Sequence, residues 1–146
     1  MVSGEKYDPG MLAYCGIYCD LCSFRVAHNE QDRGHLDNIP ARYERKDLSE
    51  YDCDGCKGAN CICGGCDMKG CAQARGIDSC ADCDSFPCEI IERFGTDGTP
   101  HHHDALKNLH AIREKGTEAW FAAMRPALRC ACGNRQSWYH TCPEHS

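Results

Sequence analysis

Four Cys-x-x-Cys pairs, Cys19/Cys22, Cys53/Cys56, Cys63/Cys66 and Cys80/Cys83, fall within 146 residues, and they constrain the fold more than any other feature. Two intervening residues let a tight turn aim both sulfurs at one ion while backbone amides point at the sulfurs. This is the knuckle of zinc sites and also the half-site of iron–sulfur clusters. Cys15, Cys61, Cys71 and Cys88 flank the pairs and bring the set to twelve, enough for three tetrahedral sites of four thiolates each. The tail adds Cys130, Cys132 and Cys142, with His145 after two intervening residues, a set that suits one zinc site of three thiolates and an imidazole. Sequential grouping gives Cys53/56/63/66 and Cys71/80/83/88; interleaved sites fit the loop lengths equally well.

Cysteines can cross-link a chain by disulfides or by metals. Disulfides persist in oxidising compartments. The first ten residues carry no apolar h-region and no cleavage-site pattern, and an odd count of 15 cysteines sits badly with a closed disulfide framework. The longest apolar run, Ala119 to Met124, is far too short to span a bilayer. These features predict a cytoplasmic chain, with no membrane association, whose thiols are metal ligands. The ligands matter for stability: with 4 Phe and 2 Trp and a mean hydropathy of -0.58, apolar burial at roughly 25 cal/mol per Å² has little to work with.

The charge is -6 and uneven, with 11 acidic and 4 basic residues between Asp47 and Asp97. Four thiolates around one Zn²⁺ add about -2 per site, so the metallated centre would be acidic and unsuited to a phosphate backbone. The basic stretch from Arg113 to Arg135 reads as a solvated helical face. Nucleic acid is therefore disfavoured, which leaves another protein as the partner class; oligomeric state is not legible.

Regular structure reads as sparse. Met11 to Tyr14 is a short extended segment that turns at Gly16 and delivers Cys15 to a loop. Leu21, Phe24 and His28 mark a weak amphipathic helix over 20–29, and Pro40 starts a second that runs to Asp47. From Cys53 to Cys83 the chain reads as loop organised by its ligands. A helix from Ser85 to Gly95 presents Ile90, Ile91 and Phe94, and puts Cys88 in its first turn, where the helix dipole eases thiol deprotonation. The longest helix runs from Asp104 to Lys115 with Ala105, Leu109 and Ile112 on one face. Thr117 then caps a short helix carrying Trp120, Phe121 and Met124. The expected fold is a small, irregular, metal-stapled α+β structure of cysteine-rich loops, a few short helices and little sheet. Residues 11–116 form the cysteine-rich metal-binding domain, and 117–146 a short helix plus zinc-ribbon-like tail.

Other patterns carry less. Cys15-x3-Cys19-x2-Cys22 matches the CxxxCxxC of radical S-adenosylmethionine enzymes, but the (β/α) barrel those enzymes need is missing. His101, His102 and His103 read as exposed residues ahead of a helix, and His28 and His110 as packing residues. No Walker loop, GxGxxG, Ser-His-Asp order or paired-carboxylate pattern rises above chance.

From Tyr14-Cys-Gly-Ile-Tyr-Cys-Asp-Leu-Cys22 the chain resembles a prokaryotic family, domain of unknown function 3795. The likeness continues through Cys53-Asp-Gly-Cys56, Cys63-Gly-Gly-Cys66, Cys71-Ala72 and Cys80-Ala-Asp-Cys-Asp-Ser-Phe-Pro-Cys88, and covers roughly Met11 to Lys115. Some members resemble the chain further, with a Gly-x-x-x-Trp segment (here Gly116 to Trp120) and a zinc-ribbon tail. In place of a ribbon's paired CxxC, this tail has Cys130-Ala-Cys132 and Cys142-Pro-Glu-His145. The resemblance implies cysteine-rich metal binding and lends no activity. The expected function is a multi-zinc structural or interaction module, with an iron–sulfur protein for electron transfer or redox sensing as the alternative.

Overall fold

Leu12 and Tyr18 pair in a single antiparallel bridge around a loop that turns at Gly16, where φ is +96°. The computed structural model describes residues 9–53, 55, 57 and 67–142. Among them are five α-helices: α1 Ser23–Glu30, α2 Asp67–Arg75, α3 Glu89–Gly95, α4 Pro100–Lys115 and α5 Thr117–Met124. Short 3-10 turns join several of them. No strand forms among the described residues, only three isolated bridges. The fold is thus small, irregular, helical and cysteine-rich, and the sheet component expected from the sequence does not appear there. Each run of β-formers is cut by a turn before a second ladder bond can follow the first.

The larger apolar cluster is built on α4. Ala105, Leu109 and Ile112, spaced to share one helical face as the sequence predicts, are all buried and meet Tyr18, Ile91, Trp120, Phe121 and Leu128. Tyr18 stands edge-on to Trp120 and Phe121 at 5.2 and 5.6 Å between ring centres, a geometry worth about 0.5–1.5 kcal/mol per pair beyond area burial. Asn108 ties the Gly16 loop to this helix, donating to the Gly16 carbonyl at 2.9 Å and accepting from the Trp120 indole at 3.3 Å. The second cluster gathers Phe24 and Ala27 of α1 with Leu36, Ile39 and Tyr51, and Trp138 and Tyr139 of the tail pack against it.

Several boundaries differ from expectation. The helix expected from Pro40 is one 3-10 turn, Ala41–Tyr43, because it has no apolar face to bury. The segment read as loop contains α2, in which Met68 and Ala72, one turn apart, are buried. Its core contact outweighs the Gly and Cys content that suggested a loop. The helix read from Ser85 starts at Glu89, with Cys88 as its N-cap rather than in its first turn. Ile91 is buried as expected, but Ile90 is 43 % exposed. α4 begins at Pro100, not Asp104, so the three histidines lie inside its first turns.

Candidate metal centres

The tail brings three thiols together. Arg129 and Arg135 bridge around a turn closed by the Gly133 amide on the Cys130 carbonyl at 2.9 Å, and Cys142 returns beside it. The Cys130, Cys132 and Cys142 sulfurs all lie within 4.8 Å of one another. Cys132 and Cys142 are 3.4 Å apart, near the roughly 3.8 Å edge of a tetrahedron with zinc–sulfur bonds of about 2.3 Å. The bond between Cys132 and Cys130 holds the Cys130 thiol below its ordinary value and pushes Cys132 up to about 11.

A second set surrounds a small, almost wholly apolar cavity between α2 and α3. Cys71, Cys80, Cys83 and Cys88 line it with Met68, Ala72, Ile77, Phe86 and Ile90. Its volume of about 20 Å³ suits one ion or water and little more. These are the four cysteines of the sequential grouping, although no three of their sulfurs come within 4.8 Å of one another. Local structure explains the approach. The Ser79 hydroxyl accepts from the Ala81 amide and starts the Cys80–Asp82 turn. The Ser85 amide donates to the Cys83 sulfur at 3.4 Å. Arg113 of α4 grips the turn by its backbone, donating to the carbonyls of Ala81 and Cys83, both at 2.8 Å. Arg75 hydrogen-bonds Cys71.

A third approach involves two different Cys-x-x-Cys pairs. The Gly55 amide donates to the Cys53 sulfur at 3.3 Å, and a side chain built at Gly55 would meet the Cys19 sulfur at 3.6 Å. Cys22, the N-cap of α1, has a thiol that burial pushes up to about 12, with Cys53 adding to the rise. Cys53 therefore faces the Cys19/Cys22 turn, which is the interleaved option. Cys15 is buried in the larger apolar cluster, and the Tyr14 carbonyl beside it accepts from the Cys80 amide at 2.8 Å. Cys56, Cys61, Cys63, Cys66 and His145 lie outside the described residues.

Of the histidine triplet only His103 is exposed as expected; His102 is half-buried and His101 buried. His101 is buried and stacks on Trp138, with ring centres 4.4 Å apart and planes at 9°; burial lowers its pKa to about 4. His102 stacks on Phe94 and sits 2.6 Å from Asp97. These are packing roles, and the two rings also meet edge-on, 4.6 Å between centres. Within the basic stretch Arg113 and Lys115 are exposed, as a solvated face requires, whereas Arg125, Arg129 and Arg135 are half-buried; Arg113, Arg129 and Arg135 also donate to backbone carbonyls.

One group escaped the sequence altogether. Asp32, His35 and His140 bring one ligand atom each within 4.8 Å of the others. Asp32 and His35 are three residues apart, a one-turn spacing that could have flagged them, but His140 joins them only through the fold.

The family model described as protein of unknown function (DUF3795) matches residues 11–93, which hold Cys15 through Cys88. The chain belongs to this family. The DUF3795 match takes in α1 and α2 and most of α3, with the turns that carry the second and third cysteine sets, and ends before the tail. No curated protein and no solved structure matches the chain. No helix among the described residues is long and apolar enough to cross a membrane.

Proposed function

We propose that this protein is a multi-zinc module in which cysteine thiolates hold ions that brace the loops between short helices, and that it serves as a structural or protein-interaction domain. The convergence of Cys130, Cys132 and Cys142 within 4.8 Å carries the reading. Three sulfurs from positions up to twelve residues apart gather at one point with a near-tetrahedral edge, while no disulfide joins them. A fourth ligand from His145 or solvent completes the zinc shell. The Cys71/80/83/88 set around its ion-sized cavity supports a second site of the same chemistry. A structural zinc supplies about 10 kcal/mol or more of apparent folding energy, which fits a chain whose helices are short and whose connections are irregular.

Anaerobic purification followed by elemental analysis and an absorption spectrum tests the reading. The expected product is colourless, contains several zinc ions per chain, and loses about one of them in Cys142→Ser. A brown protein with thiolate-to-iron absorption would replace zinc with an iron–sulfur cluster and electron transfer or redox sensing. A metal-free protein that stays folded would remove both.

A further inference from the structure

Asp32, His35 and His140 gather close to the Cys130/132/142 set without sharing a ligand with it, and we propose that they form a separate site for a divalent first-row transition ion, with coordination positions open to solvent. Asp32 opens the 3-10 turn Arg33–Leu36 and spends one carboxylate oxygen on it, Oδ1 accepting from the Gly34 amide at 2.8 Å. Oδ2 remains, 3.8 Å from Nε2 of His35. That gap is too long for a hydrogen bond. An ion about 2.0–2.1 Å from each atom would span it after a small inward movement of Asp32, whose side chain is 53 % exposed.

His35 is held as a ligand needs to be. Its ring is buried, and Nδ1 lies 2.7 Å from the Ser137 hydroxyl. Ser137 accepts from Ser23 at 2.8 Å, and Ser23 accepts from the Tyr139 amide at 2.9 Å. With Nε2 on an ion, Nδ1–H donates to Ser137, the outer hydrogen bond that fixes tautomer and ring orientation in metal-binding histidines. His140 arrives on a tight turn, paired with Ser137 through both backbone bonds, and its ring centre is 4.4 Å from that of His35. The same Ser137 therefore orients one imidazole by its hydroxyl and places the other by its backbone.

Two imidazoles and a carboxylate are the donor set of exchangeable sites, unlike the closed four-thiolate shell of structural zinc. The three residues line an open cleft of about 400 Å³ shared with Glu30, Asn134 and Cys142. The vacant positions would face this cleft and take water or a small anionic ligand. The placement is independent of the thiolate sites and holds whether those carry zinc or iron.

Cobalt substitution separates the two kinds of site, because thiolate-bound Co²⁺ shows intense sulfur-to-metal charge transfer and nitrogen–oxygen-bound Co²⁺ does not. The full chain should bind one Co²⁺ beyond the number accounted for by the charge-transfer band. Asp32→Asn, which keeps an oxygen for the Gly34 amide, and His140→Gln should each weaken that extra ion at least tenfold and leave the band unchanged. Azide should shift the visible bands of the extra ion only. Binding of no extra cobalt, retention of it in both variants, or loss of the charge-transfer band in His140→Gln would each overturn the proposal, the last by moving His140 into the Cys130 site. Absence of the charge-transfer band in the wild type would instead sink the thiolate reading. A spectrum indifferent to azide would overturn the open positions.

Discussion

The guanidinium of Arg113 donates to the carbonyl of Cys83 at 2.8 Å, and through the same nitrogen to that of Ala81. A residue of the long helix α4 thus holds the Cys80–Cys83 turn in shape through its backbone carbonyls.

Removing that grip frees two carbonyls in a part-buried place. Hydrogen bonds from charged donors are worth about 1.5–3 kcal/mol each, and partial exposure screens them. Arg113→Ala should therefore cost roughly 2–3 kcal/mol in denaturant unfolding and speed amide exchange at residues 80–83. Arg113→Lys should recover only part, since its shorter-reaching ammonium is more strongly hydrated than a guanidinium and gives up more to leave water for the two carbonyls. Exchange as slow as wild type in the alanine variant would show that the turn needs no such support.

Gly16 brings the cysteine loop into direct contact with α4. A methyl group there would collide with the Ala105 carbonyl oxygen and come within 2.7 Å of the Leu109 side chain, at φ +96°. Overpacking costs typically 1–3 kcal/mol and the left-handed backbone about 1–2 more. Gly16→Ala should lose about 3 kcal/mol or more. Gly76→Ala, at φ +67° with nothing within 4 Å, should lose only about 1 kcal/mol. Equal losses at the two positions would show that contact with α4 is not what makes Gly16 necessary.

Acid should weaken the packing of the tail on α1. Burial lowers the His101 pKa from 6.5 to about 4; the His102 and Arg42 charges push the same way, and Asp97 opposes them. Phe24, Tyr43, Trp138 and Tyr139 complete its surroundings. Between those two pH values the unfolded chain binds the extra proton, so stability falls as pH drops through that window and is intact above it. His101→Phe retains a ring over Trp138 and cannot charge. Its melting temperature should gain on wild type as pH falls from 7 towards 4.5. A constant difference across that range would mean that His101 does not sense acid.

Much of the architecture is legible along the chain, for a local reason. The buried face Ala105, Leu109 and Ile112 is a helical period, and the Trp120/Phe121 pair sits just past a glycine stop. Both need only neighbours in sequence. α2 escapes a reading of the sequence because its buried pair, Met68 and Ala72, is set among Gly and Cys residues that suggest loop, and its support comes from distant core contacts. Cys88 reads as a first-turn residue and is the N-cap, because the two positions look alike until the backbone is traced.

The candidate sites divide along the same line. Two-residue spacing alone determined that Cys80 and Cys83, or Cys53 and the amide of Gly55, would form a sulfur-bearing turn, since its geometry is closed within four residues. Which turns face one another was settled by packing: Cys53 against Cys19 and Cys22, Cys71 across a cavity from Cys88, and His140 beside His35 over more than a hundred residues. Loop closure costs so little extra as a loop lengthens that the intervening chain permits many partners, and only the burial of α4 and the aromatic cluster on α1 selects among them.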